Sequence, residues 1–159
     1  MLGTDIDPDL IQIARKQSTL CERLQFEHCD IVMNSSPIEK YLRNSQAQGF
    51  DIIFCFSVTM WIHLNKGQQG LEVLFKNCGQ MCKRFLVLEP QPWKCYMTAA
   101  RRMRKLKQPK FDHLDEIEHR QDKLIPHLIL LCETFGGFKL KTQLGKTNWD
   151  RKILLFEKI

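Results

Sequence analysis

Two aspartates, Asp5 and Asp30, each follow a short stretch that is predicted to be a β-strand. Asp5 stands just before the start of a predicted helix, and Asp30 ends the alternating segment Leu24–Cys29. In α/β sheets, ligands bind at the carboxyl ends of the strands, where a carboxylate can accept hydrogen bonds from ribose hydroxyls or an adenine amino group. The alternative is that Asp5 caps a helix and Asp30 is an ordinary turn residue. The spacing alone leaves both interpretations open.

A second group of chemically capable side chains follows the predicted strand Phe50–Phe56. The segment Ser57–Asn65 (SVTMWIHLN) crowds hydroxyl groups, Trp61 and His63 at the carboxyl end of that strand. The next predicted strand runs into Glu89–Lys94 (EPQPWK), whose two prolines stiffen the backbone. We therefore expect a binding site at this edge of the sheet. The alternative for Trp61 and His63 is a structural role in the core.

A dense run of basic residues begins at Lys94 and lies beside Trp93 and Tyr96. On a helix, such cations can neutralise RNA phosphates while the neighbouring aromatic rings stack on a terminal base. The alternative is a solvated helix face, which is the commoner role of a charge run. Because the proline-containing loop adjoins the run, we favour RNA. The basic residues of the run are Lys94, Arg101, Arg102, Arg104, Lys105, Lys107 and Lys110.

The elements that must position these residues alternate between strands and helices, which predicts an α/β sheet. Asp7 and Pro8 begin the first helix, and a capping box of Ser36, Pro37 and Glu39 begins the second. The nearly continuous apolar run Phe50–Phe56 predicts a central parallel strand covered on both faces. Strands are expected within Leu2–Asp7 and over Leu24–Cys29, Phe50–Phe56, Phe85–Glu89, Phe138–Leu144 and Ile153–Glu157, with helices from Pro8, after Ser36, over Leu71–Lys83, along the basic run and over Leu124–Phe135 before Gly136 and Gly137.

Composition limits the classes of protein that fit. A chain of 159 residues is expected to form one domain, 1–159, with a real core. No apolar run approaches the roughly 20 residues of a membrane span, and no secretory signal opens the chain, so we expect a cytoplasmic protein, with the nucleus as the alternative. The net charge of +6 favours an anionic partner such as nucleic acid. The seven cysteines are scattered without zinc-site spacing, so we expect reduced thiols and no metal.

Three motifs carry a specific resemblance to a known family. The segments DIDP, FDIIFCFSVTMWIHLN and LVLEPQPWKCY resemble the bicoid-interacting-protein family of RNA 5′-phosphate methyltransferases. The likeness is closest to the small cytoplasmic 5′-monophosphate branch, which acts on tRNA and microRNA precursors, and it runs from Leu2 to the terminal strand. It implies a Rossmann-like fold of class I S-adenosylmethionine-dependent methyltransferases, with S-adenosyl-L-methionine as the cofactor and RNA with a 5′ phosphate as the partner.

The resemblance also implies roles for residues that match the family's motifs. Asp5 and Ile6 match its ribose and adenine contacts, Asp30 and Ile31 the adenine edge, and Phe56 a wall of the cofactor pocket. No catalytic residue is assigned, because a terminal phosphate with a second pKa of about 6 is already largely ionised near neutral pH. The residues implied for the 5′ phosphate and first nucleotide are Ser57, Trp61, His63, Glu89, Gln91, Trp93, Lys94 and Tyr96, with Arg101 and Arg102 on the RNA strand beyond.

The start of the chain departs from the family's pattern. Family members place a strand and a glycine-rich loop before the DIDP motif, whereas here only four residues precede Asp5. We therefore expect a sheet that lacks this first strand, together with an incomplete cofactor site. The alternative function is a catalytically silent module that binds RNA or protein. A nicotinamide oxidoreductase fits less well, because the sequence contains no GxGxxG.

Overall fold

A computed structural model describes residues 1–19 and 23–159 of the chain, which form two compact units, Met1–Gly49 and Phe50–Ile159. Among the described residues, no helix combines the length and the apolar character needed to cross a membrane. Cys21 lies outside the described residues. The described cysteines are free thiols, as the sequence predicted: Cys29, Cys55, Cys78, Cys82, Cys95 and Cys132.

The first unit pairs two parallel strands and adds two helices. Asp7 caps the first helix, because its side chain accepts hydrogen bonds from the backbone nitrogens of Asp9 (2.8 Å) and Leu10 (3.3 Å). The predicted capping box is wrong: the second helix has Ser35 as its cap, without a side-chain bond to the backbone, and the Ser35 hydroxyl donates to Glu39 instead. The elements are β1 (Leu2–Asp5), α1 (Pro8–Gln17), β2 (Gln25–His28) and α2 (Ser36–Asn44).

The second unit holds a four-stranded mixed sheet in the order β3-β4-β6-β5. The pair β3 and β4 is parallel, whereas β6 runs antiparallel to both of its neighbours. A short 3₁₀ helix over Gln121–Lys123 precedes the last helix. The elements are β3 (Phe50–Phe56), α3 (Thr59–Met81), β4 (Cys82–Glu89), α4 (Trp93–Lys105), α5 (Leu124–Gly136), β5 (Phe138–Lys146) and β6 (Lys152–Lys158).

The helix between β3 and β4 is longer than the sequence predicted. It begins at Thr59 rather than Leu71 and ends before Cys82, so Trp61 and His63 lie on its first turns. The apolar pattern is interrupted because the helix is kinked at Gly67, whose φ of 64° is strained for any other residue. A Cβ at Gly67 would also come 3.0 Å from Nδ1 of His113. The kink thus lets the segment around His113 approach α3 closely.

Among the described residues of the second unit, none covers the second face of strand β3, contrary to the prediction. It lies at the edge of the four-stranded sheet, and Ile52, Phe54 and Phe56 are 45%, 60% and 52% exposed. On the opposite face, Cys55 is buried. A continuous apolar run indicates that both faces of a strand can be buried, but it does not show which elements would cover them.

Helices α3 and α5 pack closely beside the sheet at a pair of glycines. A Cβ placed on Gly79 would lie 2.2 Å from the carbonyl oxygen of Gly136, which is far inside van der Waals contact. The neighbouring Phe75, Leu128 and Phe138 are fully buried. The predicted end of the last helix at Gly136 and Gly137 is confirmed, because Gly137 ends α5 with a left-handed φ of 64°.

Substituting Gly79→Ala should destabilise the second unit by about 2 kcal/mol or more, because the two helix backbones must move apart. Urea unfolding followed by circular dichroism measures the change. The control is Gln69→Ala at an exposed position of the same helix, which should shift the free energy of unfolding by less than about 0.5 kcal/mol. Equal stability of Gly79→Ala and the parent chain would contradict the close packing.

Candidate functional site

A polar network joins the carboxyl ends of β3 and β4. Ser57 Oγ donates to Glu89 Oε2 at 2.9 Å and accepts from Arg151 Nη1 at 2.7 Å. The same guanidinium nitrogen lies 3.2 Å from Glu89 Oε1. Glu89 is only 5% exposed, so these two donors stabilise a carboxylate that water scarcely reaches. The buried Nε of Arg151 has no hydrogen-bond partner among the described residues.

The turn that carries Ser57 has a strained backbone and is held in place by hydrogen bonds with the Gln91 side chain. Ser57 has a φ of 56°, in the left-handed region that non-glycine residues rarely adopt. The Gln91 amide nitrogen donates to the Ser57 carbonyl oxygen at 2.7 Å, while its oxygen accepts from Thr59 Oγ1 and from the Met60 backbone nitrogen, both at 3.3 Å. Gln91 is 1% exposed. Its amide therefore positions Ser57, since all of its hydrogen bonds with described residues are to the β3–α3 turn.

A second cluster forms where α3 meets the start of α4. His63 Nδ1 lies 3.3 Å from the hydroxyl of Tyr96, which is fully buried and stacks on Trp93 with ring centroids 5.3 Å apart. The Arg120 guanidinium lies 5.4 Å from the centre of the Trp93 ring. Burial lowers the pKa of His63 to about 4, with smaller contributions from two neighbouring histidines. The imidazole is therefore neutral at physiological pH.

A basic cavity of about 260 Å³ lies beside the start of α4. Among the described residues, four cationic side chains and a single carboxylate, that of Asp150, line it. Lys146 Nζ binds Asp150 Oδ1 at 2.5 Å and lowers the pKa of that carboxyl group. The remaining positive charge suits an anion such as a phosphate group. The lining residues are Pro92, Lys94, Ile125, Lys146, Asp150, Arg151 and Lys152.

The residues that the sequence predicted for a 5′-phosphorylated substrate all lie in the second unit, but not in one cluster. Three of them, Trp61, Arg101 and Arg102, are exposed on α3 and α4 and join neither network. Trp61 contacts the Phe111 ring edge-on, with centroids 6.2 Å apart. The others divide into Ser57, Glu89 and Gln91 at the strand ends, His63, Trp93 and Tyr96 at the helix contact, and Lys94 in the basic cavity.

The residues predicted for the cofactor are divided between the units, with Phe56 at the end of β3 and the others in the first unit. Asp5 does not cap a helix. Its Oδ1 accepts from the Asp7 backbone nitrogen at 2.8 Å, and its Oδ2 accepts from no described residue. The adjacent Ile6 is 61% exposed. A carboxylate oxygen that accepts from no described residue, beside an exposed apolar side chain, fits the hydroxyls and base of a nucleoside.

Asp30 has the turn geometry that was one of the two interpretations of its position, and contact with adenine stays a prediction. Its Oδ1 accepts from the backbone nitrogens of Val32 at 3.0 Å and Met33 at 3.1 Å, which is the geometry of a turn acid. Oδ2 accepts from no described residue, so the same side chain retains an acceptor for an adenine amino group. Ile31 follows it and is partly exposed.

Sequence reasoning missed Arg151, the residue that completes the polar network. It is 94 positions from Ser57 and 62 from Glu89 along the chain, so no local motif joins them. Lys146 and Lys152 of the basic cavity were missed for the same reason. The one sequence feature that could have indicated Arg151 was the polar loop before the last strand. In the structure, Trp149 of this loop is 71% exposed, and the Arg151 guanidinium lies 5.5 Å from the centre of its ring.

Sequence comparisons match most of the chain. The family model described as Bicoid-interacting protein 3 (Bin3) covers residues 50–158. A pre-miRNA 5′-monophosphate methyltransferase of Xenopus laevis is 42% identical over 98% of this chain and 62% of its own length. An RNA 5′-monophosphate methyltransferase of Mus musculus is 40% identical over 98% of this chain and 55% of its own length. The chain thus spans somewhat more than half the length of these relatives.

Two solved structures that share the fold are methyltransferases. Magnesium protoporphyrin IX methyltransferase (ChlM) from Synechocystis PCC 6803, with bound SAH, aligns with a TM-score of 0.58 at 15% identity, covering 99% of this chain and 63% of that one. N-methyltransferase NodS from Bradyrhizobium japonicum WM9 aligns at 0.57 with 14% identity, covering 99% and 72%. The likeness confirms the predicted fold class, that of the class I S-adenosylmethionine-dependent methyltransferases.

The lowered pKa of His63 predicts a loss of stability in acid. The folded state keeps this imidazole neutral down to a pH of about 4, whereas the unfolded chain binds a proton below the ordinary pKa of 6.5. The unfolded state therefore holds more protons in this window, so the contribution is complete above pH 6.5 and is lost as the pH falls towards 4.

Urea unfolding at neutral pH and at a pH of about 4.5 should show a loss about 2 kcal/mol larger for the parent chain than for His63→Asn. The asparagine amide keeps a hydrogen-bonding group near the Tyr96 hydroxyl but does not titrate. Identical pH dependence of the two proteins would show that His63 is protonated at the same pH whether folded or unfolded.

Proposed function

The chain belongs to the Bicoid-interacting protein 3 family, and on that premise we propose that it takes part in the S-adenosylmethionine-dependent O-methylation of an RNA 5′ phosphate. The observation that carries the proposal is the basic cavity beside the Ser57–Glu89–Arg151 network, at the carboxyl ends of β3 and β4. This is the edge of the sheet where α/β folds bind their ligands. All the residues that line the cavity fall within residues 50–158, the range that the family model matches.

The finer identity of the substrate is a 5′-monophosphate on a small RNA. Support comes from the relatives named RNA 5′-monophosphate methyltransferase, and from the Xenopus laevis relative whose name specifies pre-miRNA. We therefore propose a precursor of microRNA as the RNA. A tRNA precursor and a cytoplasmic location are proposed from the resemblance of the sequence motifs alone. The basic cavity is small, at about 260 Å³, which is consistent with one terminal phosphate rather than a folded stretch of backbone.

We assign the contacts with S-adenosylmethionine to the acidic and apolar residues predicted for the cofactor from the sequence. S-Adenosylmethionine, when bound, supplies an electrophilic methyl carbon on a sulfonium sulfur. Asp5 would accept hydrogen bonds from the ribose hydroxyls, and Asp30 would accept one from the adenine amino group. Ile6 and Ile31 of the same unit would provide apolar contacts.

The protein's contribution to the reaction is to hold the phosphate rather than to remove a proton. A terminal phosphate with a second pKa of about 6 is mostly dianionic near neutral pH, so an oxygen nucleophile is already present. Lys94 and Lys152 are exposed cations that can orient this group. Arg151 is held by Ser57 and Glu89, so its charge is partly compensated. Complete neutralisation of the phosphate oxyanion would weaken it as a nucleophile. The Glu89 carboxylate limits this neutralisation, because it compensates part of the Arg151 charge.

Further contacts would follow the RNA strand. Trp61 and Trp149 are exposed rings that can stack on bases, and Arg101 and Arg102 project from α4 into solvent. These contacts do not depend on sequence, because every base has a stacking face and every nucleotide has a phosphate.

Lys94→Gln should lower kcat/KM for 5′-monophosphorylated RNA about tenfold, because one charge-assisted contact to the phosphate is lost. It should also reduce the slope of log K against log salt by about 0.7 for a single strand. Transfer of a labelled methyl group and fluorescence anisotropy measure the two effects. The control is Lys76→Gln, an exposed lysine of α3 outside the cavity, which should match the parent chain.

The substrate pair for this test is one RNA with either a 5′ monophosphate or a 5′ hydroxyl. Loss of the difference between the two RNAs in Lys94→Gln supports the phosphate site, and an undiminished preference for the phosphate contradicts it. Titration calorimetry with S-adenosylmethionine adds the cofactor. Phosphate-dependent RNA binding without cofactor binding or methyl transfer would overturn the enzymatic proposal and favour a silent RNA-binding module.

A further inference from the structure

Strand β3 forms one edge of the four-stranded sheet, and part of its backbone faces away from that sheet. The Ser57 backbone nitrogen donates to the Glu89 carbonyl oxygen of β4 at 3.4 Å. Because backbone groups alternate in direction along a strand, those of Ile53 and Cys55 also point towards β4, whereas those of Ile52 and Phe54 point away from it. Within the second unit, no described residue forms a hydrogen bond with these outward groups. This edge can therefore accept another strand.

The side chains along this edge are apolar and exposed to solvent. Ile52 and Phe54, whose backbone groups point outward, are 45% and 60% exposed. The charged side chain of the strand, Asp51, lies near its start and pairs with Lys83 at 3.0 Å. The rest of the strand, Ile52–Phe56, contains no lysine, proline or carboxylate. An apolar edge of this kind is a template for pairing with a second chain.

The opposite edge of the sheet is formed by β5 and differs from β3 in the features that prevent such pairing. Strand β5 carries Lys139, Lys141 and Lys146, and its register with β6 shifts twice. Lysines and irregularities keep exposed sheet edges from pairing with other chains. On β3, the register shift lies before Ile52, and residues 52–56 pair regularly with β4. Strand β3 is therefore the edge of this sheet that is suited to pairing.

The sequence of β3 is complementary to itself in an antiparallel register centred on Ile53. In that register, Ile52 lies opposite Phe54 of a second copy, and Phe54 lies opposite its Ile52. Both are hydrogen-bonded pairs, because the backbone groups of these residues point to the free edge. Pairs of an aromatic and a β-branched side chain stabilise antiparallel strands. Asp51 lies opposite Cys55, so the two carboxylates do not face each other.

We infer that β3 pairs with β3 of a second copy of this chain, which joins two four-stranded sheets into one of eight strands. The two copies are related by a two-fold axis, so each uses its free edge on the other and the assembly closes at two chains. The contact is one strand wide, which places its buried area at the low end of specific interfaces. The dimer therefore forms as the protein concentration rises. This inference does not depend on the proposed function.

The first test is the mass of the chain in solution, measured by light scattering after size-exclusion chromatography over a wide range of concentrations. The mass of the parent chain should rise from that of one chain towards that of two. Phe54→Lys should raise the dissociation constant about tenfold or more, because it removes both apolar cross-strand pairs and places a charge at the edge. The matched control is Leu130→Lys, at an apolar position of α5 that is 57% exposed, which should dimerise like the parent chain.

The second test fixes the register. Ile53 lies opposite its own copy in a non-hydrogen-bonded pair, where the Cα atoms are about 4.5 Å apart, within the range that a disulfide spans. In Ile53→Cys, oxidised glutathione should convert the two facing thiols of a dimer into one disulfide and be reduced to two molecules of glutathione. Electrophoresis without reductant measures the cross-linked fraction. The parent chain and Leu130→Cys, treated in the same way, give the background from the other cysteines.

Circular dichroism checks that each variant is folded. A single-chain mass of the parent at every concentration would overturn the inference and leave the β3 edge to a strand of another protein. A dimer that persists unchanged in folded Phe54→Lys would place the contact on another surface. A dimer whose Ile53→Cys variant cross-links no more than the controls would refute the pairing register.

Discussion

The ion pair between Glu89 and Arg151 is the contact on which the functional edge of the second unit depends. It ties the end of β4 to the residue before β6, and through Ser57 it also ties the end of β3. A buried carboxylate without such partners would be strongly destabilising, by about 3–5 kcal/mol when one partner of a pair is removed. The three strand ends must therefore meet in one arrangement. That arrangement exposes Lys94 and Lys152 at the basic cavity and fixes the turn from which α3 starts.

The strained turn at Ser57 shows how this edge is held. A left-handed backbone at a serine costs about 1–3 kcal/mol and persists only where the surroundings enforce it. Gln91 enforces it, because its buried amide binds both sides of the turn. The proline residues on either side of Gln91 stiffen the segment that presents this amide. The EPQP motif thus fixes the position of Ser57, through the Glu89 carboxylate and the Gln91 amide.

Much of the fold was predictable because it follows from local patterns. The apolar run Phe50–Phe56 matched β3 residue for residue, and Gly137 marked the end of α5. The predictions failed where a tertiary contact replaced the local signal. Gly67 reads as a helix breaker, yet α3 continues through a kink there, and the apolar pattern of β3 did not reveal that Phe54 is exposed.

The sequence by itself determined the strand and helix order, the family and the acidic and aromatic groups at the strand ends, since each depends on neighbours within a few positions. Only the tertiary structure decided which side chains share a cavity. Arg151 reaches Ser57 across 94 positions, and His63 shares a cavity with His127, which lies on another helix. The reason is physical: local propensity acts through the backbone of adjacent residues, whereas the pairing of buried charges and the lining of cavities depend on how distant elements pack.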